Sequence, residues 1–159
     1  MTALPLSPKP LPKPPSKPSP AKRKNTKAIG DYFEQQAVEF LQAQGLTIIA
    51  RNYHAIDAKK IGEIDIIATS SQTVRGRAQN TLIFVEVRAR KQMTHAQFAT
   101  SLETITPTKR RRIIAAAEHF LQQSPKFAEY DCRFDVVAFD VDEKGVSVPQ
   151  WIVAAFLAY

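Results

Sequence analysis

Residues 62–90 read GEIDIIATSSQTVRGRAQNTLIFVEVRAR, and this stretch decides the fold. Two apolar runs rich in Ile, Val and Phe are joined by a polar link, and each run predicts a strand. The first carries Glu63, Ile64, Asp65, Ile66 and Ile67; the second carries Phe84, Val85, Glu86, Val87 and Arg88. Side chains alternate faces along a strand, so Glu63, Asp65 and Ile67 are expected on one face, and Glu86, Arg88 and Arg90 on one face of the next strand. An acid in a hydrophobic strand costs free energy unless something pairs with it. Two such acids on neighbouring strands are therefore candidates for cation binding.

Outward from that centre, LTIIARNY at residues 46–53 predicts a strand before it, and residues 61–69 and 81–90 the next two. The links are too short for helical crossovers, so the three are expected to form an antiparallel meander. The connection from Ser70 to Asn80, with Gly76 and two arginines, is expected to be a mobile link. Residues 91–103, which include His95, have no clear period and are expected to form a flap.

Two helices flank the strands. Ile29, Phe33, Ala37, Phe40 and Leu41 recur at helical spacing and predict a helix over residues 27–44, ended by Gly45. Glu34 falls at the edge of its apolar stripe. Thr106-Pro107 pairs an N-cap with proline at the first helical position. The helix after it buries Ile113, Ile114, Ala117, Phe120 and Leu121. Lys109, Arg110, Arg111 and Arg112 crowd its first turns; Lys109 should point at the body, Arg111 and Arg112 outward. Bases at a helix N-terminus suit a phosphate contact or a plain solvated face.

RFDVVAFDV at 133–141 predicts a fourth strand, in which Asp135 is expected to be a structural carboxylate paired with Arg133. Residues 146–148 are expected as a short strand or turn arm, and PQWIVAAFLAY at 149–159 as an apolar terminus docked on the body, with Trp151 in the core. Cys132 is expected to be a plain buried thiol.

Charge divides the chain in two. Of 159 residues, 22 are Lys or Arg and 15 are Asp or Glu. Residues 1–27 hold seven bases (Lys9, Lys13, Lys17, Lys22, Arg23, Lys24 and Lys27), eight of the 11 prolines and no acid. Residues 28–159 then hold 22 − 7 = 15 bases against 15 acids. The high pI belongs to the arm and says little about the body. The arm is expected to be disordered and partly polyproline II, either a solvated tail or an electrostatic arm for phosphates. Residues 28–159 are expected to form one domain.

A lone Cys excludes an internal disulfide framework and fits a reducing compartment. No apolar run approaches the roughly 20 residues of a membrane span, and no secretory h-region is present. The expectation is a cytoplasmic protein with no membrane partner. Three scattered histidines (His54, His95, His119) give no zinc spacing, and neither a phosphate loop nor a nucleophile elbow is present. What remains is Asp65 and Glu86, hard-oxygen donors a strand apart, suited to Mg²⁺ or Mn²⁺. Arg88, two residues on, would face a phosphate or stabilise developing charge. Glu34 could add a carboxylate. The reaction class this suggests is metal-assisted phosphodiester hydrolysis.

GDYFEQQA at 30–37, Gly45, Arg51-Asn52, GEIDIIA from Gly62, FVEVRAR from Phe84, Lys109 followed by AAAEHFL, RFDVV from Arg133 and the closing W-I-x-x-A-F together resemble the YraN-like family of uncharacterised bacterial proteins. The resemblance covers nearly all of the body and none of the arm. It implies an α/β restriction-endonuclease-like fold, a mixed sheet made of a meander, a helix and a further strand, with a core of the PD-(D/E)xK kind similar to archaeal Holliday-junction resolvases. Carried over, it makes Glu34 the helix glutamate, Asp65 the first strand acid, Glu86 its paired acid and Arg88 the cation, with Glu34, Asp65 and Glu86 as metal ligands. Apart from the resemblance, the bases Lys109, Arg110 and Arg90 are expected as nucleic-acid contacts. The chain departs from the nuclease pattern at Arg88, where the consensus has lysine; Arg keeps its proton and cannot serve as a general base.

Three functions follow as expectations: a metal-dependent nuclease acting on DNA rather than RNA, with branched or damaged DNA as candidate substrates; a catalytically inactive nucleic-acid-binding module with the same fold; and an interaction protein whose acids are structural. Cutting two strands would favour a homodimer.

Overall fold

The computed structural model describes residues 20–55, 62–91 and 105–158. Helix α1 (Pro20–Ala43) leads into strands β1 (Thr47–Ala55), β2 (Gly62–Val74) and β3 (Arg77–Lys91). Helix α2 (Pro107–Gln123), a single 3-10 turn (Pro125–Phe127) and strands β4 (Asp131–Val141) and β5 (Ser147–Phe156) follow. The sheet runs in chain order, β1-β2-β3-β4-β5. β1, β2 and β3 form the expected antiparallel meander; β3 and β4 are parallel; β4 and β5 are antiparallel. A parallel pair needs a crossover, and α2 lies in that connection.

Both faces of the sheet are covered, which is why its central strands read as nearly unbroken apolar runs. On one face α1 packs Phe33, Ala37, Val38 and Leu41 against Ile66, Ile83, Val85, Val137 and Phe139. On the other, α2 packs Ile113, Ala116, Ala117 and Phe120 against Ile64, Ile67, Phe84, Phe134 and Val136. The helix ends follow the sequence. Gly45, at φ 89°, donates to the Gln42 carbonyl while Leu46 donates to that of Leu41, closing α1 in a Schellman motif. Thr106 Oγ1 accepts the Lys109 amide at 3.2 Å at the head of α2.

Several expectations are corrected. α1 begins at Pro20, so residues 20–27 are helical, where a disordered arm was expected. Proline suits a first helical turn, and the seven residues after it contain none. The rest of the arm lies outside the described residues, as do residues 92–104 with the expected flap and His95. Ile29 is 51 % exposed rather than core, because α1 meets the sheet only from Phe33 onward. The link from Ser70 to Asn80 is not a loose connection: β2 and β3 stay paired out to Val74 and Arg77. Arg75 and Gly76, both at positive φ (50° and 77°), close a two-residue turn of the type I′ kind that matches strand twist. Cys132 is exposed, not buried.

The apolar terminus is a fifth strand rather than a docked tail, and Asp135 organises it. This carboxylate, 1 % exposed, accepts from Arg133 Nε and Nη2 at 2.8 and 2.9 Å, the pairing expected from sequence. It also accepts from Trp151 Nε1 at 3.0 Å and from the Ala154 amide at 2.9 Å. Ala154 sits at φ 52°, and the β4–β5 register shifts between Phe134 and Val136. The carboxylate thus takes up an amide that the irregular ladder leaves over. Trp151 is a partly buried member of that network, with the Arg133 guanidinium 5.9 Å above its ring.

Gly62 fixes α2 to the meander. A Cβ there would overlap the carbonyl oxygen of Arg112 and lie 2.8 Å from its carbon. Gly62→Ala is expected to cost about 1–3 kcal/mol, because backbone rather than a flexible side chain must move. Gly30→Ala, where a Cβ meets nothing within 4 Å, is the control and should stabilise by up to about 1 kcal/mol. Urea unfolding of the two variants checks both signs.

Candidate functional site

The site lies where β2 and β3 part. Their pairing begins at Ile66↔Val85, so Asp65 is the first β2 residue beyond it, while β3 runs on beside β4 to Lys91. Strict alternation fails at this point. Ile64 packs on the α2 side and Ile66 on the α1 side, although only one residue separates them. The neighbouring strand explains the break: Arg51 pairs with Ile66 and Tyr53 with Ile64, which places Asn52 opposite Asp65. Asn52 is in the left-handed region, φ 47°, which Asn tolerates better than most residues. Glu63, Asp65 and Ile67 therefore do not share a face as expected. Asp65 turns along the sheet toward β3, and its Oδ2 accepts the Val87 amide at 2.7 Å.

Glu86 is the second acid, 5 % exposed. Arg88 Nε lies 3.3 Å from its Oε1, confirming that Glu86 and Arg88 share a face. Lys109 Nζ, from the first turn of α2, lies 3.3 Å from the same oxygen, so Lys109 points at the body as expected. The other oxygen, Glu86 Oε2, is buried without a hydrogen-bond partner among the described residues, and so is Glu34 Oε2.

Asp65 registers Glu86, Lys109 and Glu34. Burial pushes its carboxyl from the usual 3.8 up to about 7, and the charge of Glu86 pushes the same way, as does that of Glu34 more weakly. The Val87 amide and the Lys109 ammonium oppose the rise. Acids from α1, β2 and β3 and a lysine from α2 thus act on one gap in the sheet, reached from both faces.

The shift fixes a pH dependence. The carboxyl is protonated in the folded chain at pH values where the unfolded chain has already lost the proton. The contribution of Asp65 to stability is full below about pH 4, is lost as pH rises toward about 7, and is gone above it. The loss without divalent cations should be on the order of 2–4 kcal/mol. Asp65→Asn, which can still accept the Val87 amide, should flatten that slope in thermal unfolding from pH 4 to 8. An unchanged slope would refute the assignment.

The donors fit a hard divalent cation in kind: three carboxylates, two with unpartnered buried oxygens, whose mutual repulsion a cation would relieve. They are not gathered into a finished cage. Among the described residues no group of three or more Asp, Glu, His or Cys is spaced to hold a metal. Lys109 and Arg88 supply the countercharge to Glu86 instead.

The other expected residues divide. Glu63 is exposed and faces His54 Nε2 at 3.7 Å, away from Asp65. Arg110 turns inward: its Nε donates to the Ile105 carbonyl at 3.1 Å and its guanidinium lies 5.7 Å over the Phe156 ring, so it packs the fold where a nucleic-acid contact was expected. Arg111 and Arg112 are exposed, as expected. Arg90 is partly buried on β3. His119 Nδ1 bonds the Tyr53 hydroxyl at 2.6 Å between α2 and β1. Asn52 and Gly62 received no role from sequence, although a left-handed Asn and a glycine before an acid-bearing strand are the signals that could have marked them.

A profile described as uncharacterised protein family UPF0102 matches residues 33–139, from the first buried turn of α1 through the core of β4. The chain belongs to the UPF0102 family. A UPF0102 protein of Ralstonia nicotianae is 42 % identical over 134 residues, 84 % of this chain and 87 % of that one. One of Psychrobacter cryohalolentis is 37 % identical over 146 residues, 80 % and 79 % of the two chains. One of Nitrosococcus oceani is 39 % identical over 127 residues, 80 % and 90 %. The UPF0102 match thus covers Glu34, Asp65, Glu86, Arg88 and Lys109 and leaves residues 1–32 outside. Among the described residues no helix is long and apolar enough to cross a membrane.

Proposed function

We propose that this UPF0102 protein is a metal-dependent nuclease with a restriction-endonuclease-like fold, acting on DNA. One arrangement carries the reading: at the gap between β2 and β3, where Asp65 Oδ2 accepts the Val87 amide, Glu86 Oε1 lies 3.3 Å from both Arg88 Nε and Lys109 Nζ while its Oε2 is buried without a partner among the described residues. The sheet order supports it, since a meander, a crossover helix and a parallel strand are what the nuclease resemblance implies.

Asp65, Glu86 and Glu34 would hold Mg²⁺ or Mn²⁺, which when bound supplies Lewis acidity for phosphodiester hydrolysis. Lys109 positions the Glu86 carboxylate and offsets its charge. Arg88, permanently protonated, clamps the scissile phosphate and stabilises charge there; it moves no proton. Arg90, two residues further along β3, and Lys109 would contact the backbone beside it. A homodimer would present two such sites to two strands.

A second reading has its own support. Two cations already lie at Glu86 Oε1 and the consensus lysine is Arg88, which suits a module that binds nucleic acid without cutting it. Plasmid, flap, four-way junction and RNA substrates, each with Mg²⁺ and with Mn²⁺, separate the two. The nuclease reading expects cation-dependent cleavage of at least one DNA substrate. Binding without cleavage in either metal would leave the second reading in place, and no binding would reject both.

A further inference from the structure

We infer that the far end of the β2–β3 hairpin is a duplex-DNA contact, separate from the acidic gap; this deepens the nucleic-acid reading and rests on it. β1 joins β2 only as far as Thr69, and β4 joins β3 only from Thr81. Between them the hairpin runs on as a free two-stranded ribbon, Ser71 paired with Asn80, Gln72 with Gln79, Thr73 with Ala78 and Val74 with Arg77. Every residue from Ser71 to Gln79 is exposed. A bare two-stranded ribbon is at best marginally stable in water, and this one carries no apolar face to pack on the body. It is held by its type I′ turn, by a Ser71 Oγ to Asn80 Oδ1 bond of 2.8 Å, and by Gln79 Nε2 donating to Asp131 Oδ2 at 3.1 Å.

Its chemistry selects the partner. No acid occurs from Ile66 to Val85, and the turn carries Arg75 and Arg77 on either side of Gly76. Hydroxyl and amide side chains line both strands. A ribbon of two strands fits a DNA groove, guanidinium groups neutralise phosphates, and amides and hydroxyls bond to groove edges. Self-pairing of two ribbons through their free edges is the competing use, and the charged tip disfavours it. Glu86 lies nine residue steps along the strand from Arg77, about 30 Å, so a duplex touching both would span roughly one helical turn.

The test uses the full chain carrying Arg75→Asn and Arg77→Gln. Asn-Gly favours the same turn, so the charge goes and the ribbon stays. Affinity for a 30-base-pair duplex is measured without divalent cation across a salt series, alongside the oligomeric state of the free protein. The expected result is about a tenfold weaker complex and a salt slope shallower by about two, with the free protein unchanged. Wild-type affinity and slope in the double variant would overturn the ribbon assignment while leaving the nuclease reading intact. A changed oligomeric state of the free variant would make the ribbon an interface between copies and overturn it. Failure of the wild type to bind any duplex would overturn the ribbon assignment, and failure to bind the flap, junction and RNA substrates as well would overturn the nucleic-acid reading with it.

Discussion

Glu86→Gln is expected to abolish Mg²⁺-dependent nicking, a fall of at least about a hundredfold by the scale of losses at metal sites. Glutamine keeps the volume of a side chain that is 5 % exposed and removes the charge that Arg88 and Lys109 face at 3.3 Å. Alanine would remove the charge and leave a void between two cations, confounding chemistry with folding. Asp65→Ala should remove activity as fully, since Asp65 is the acid on which the other groups bear. Neither change should weaken DNA binding, because carboxylates repel phosphate. Nicking at the wild-type rate by both variants would sink the nuclease reading; lost nicking with retained binding and a normal unfolding midpoint is the expected pattern.

The largest loss of stability should come from Asp135, which lies outside the candidate site. Its carboxylate accepts four hydrogen bonds, two from Arg133 and one each from Trp151 and Ala154. Removing one partner of a buried, hydrogen-bonded ion pair typically costs about 3–5 kcal/mol, most of it from groups left unpaired. Asp135→Ala is therefore expected to lower the unfolding free energy by about that amount and to free β5 first, since the Ala154 amide at φ 52° then has no acceptor. Urea unfolding gives the magnitude, and hydrogen exchange at β5 shows where the opening starts. A change below about 1 kcal/mol would mean that the network contributes little. Any nuclease activity should survive in the residual folded fraction, which separates this buried acid from Asp65 and Glu86.

Much of this was legible because it is local. The meander, both helix caps, the Arg133–Asp135 pair and the inward turn of Lys109 each follow from residues a few positions apart, and each is found. What escaped depends on contacts between segments distant in sequence. Nothing around Asp65 says that alternation breaks there; the cause is Asn52 in the left-handed region on the neighbouring strand. Gly62 looks like an ordinary strand start until the Arg112 carbonyl is found against it. The ribbon reads as a link because its Ser, Thr, Gln and Asn resemble link composition, and a hairpin exposed on both faces leaves no alternating apolar mark. The terminus read as a docked tail because its fifth-strand role depends on a carboxylate from β4. Glu34 was legible only as a carboxylate that could be added: at the stripe edge it also looks like a boundary glutamate, and the gap between β2 and β3 is what brings it within electrostatic reach of Asp65.

The central claim is that Glu34, Asp65 and Glu86 together receive a divalent cation. Calorimetric titration of Mn²⁺ into the full chain at pH 7.5, without nucleic acid, tests it directly, with Asp65→Ala and Glu86→Gln as the comparison. Saturable binding by the wild type that both variants lose is the expected result. Heats that are the same for all three proteins, or none at all, would contradict it.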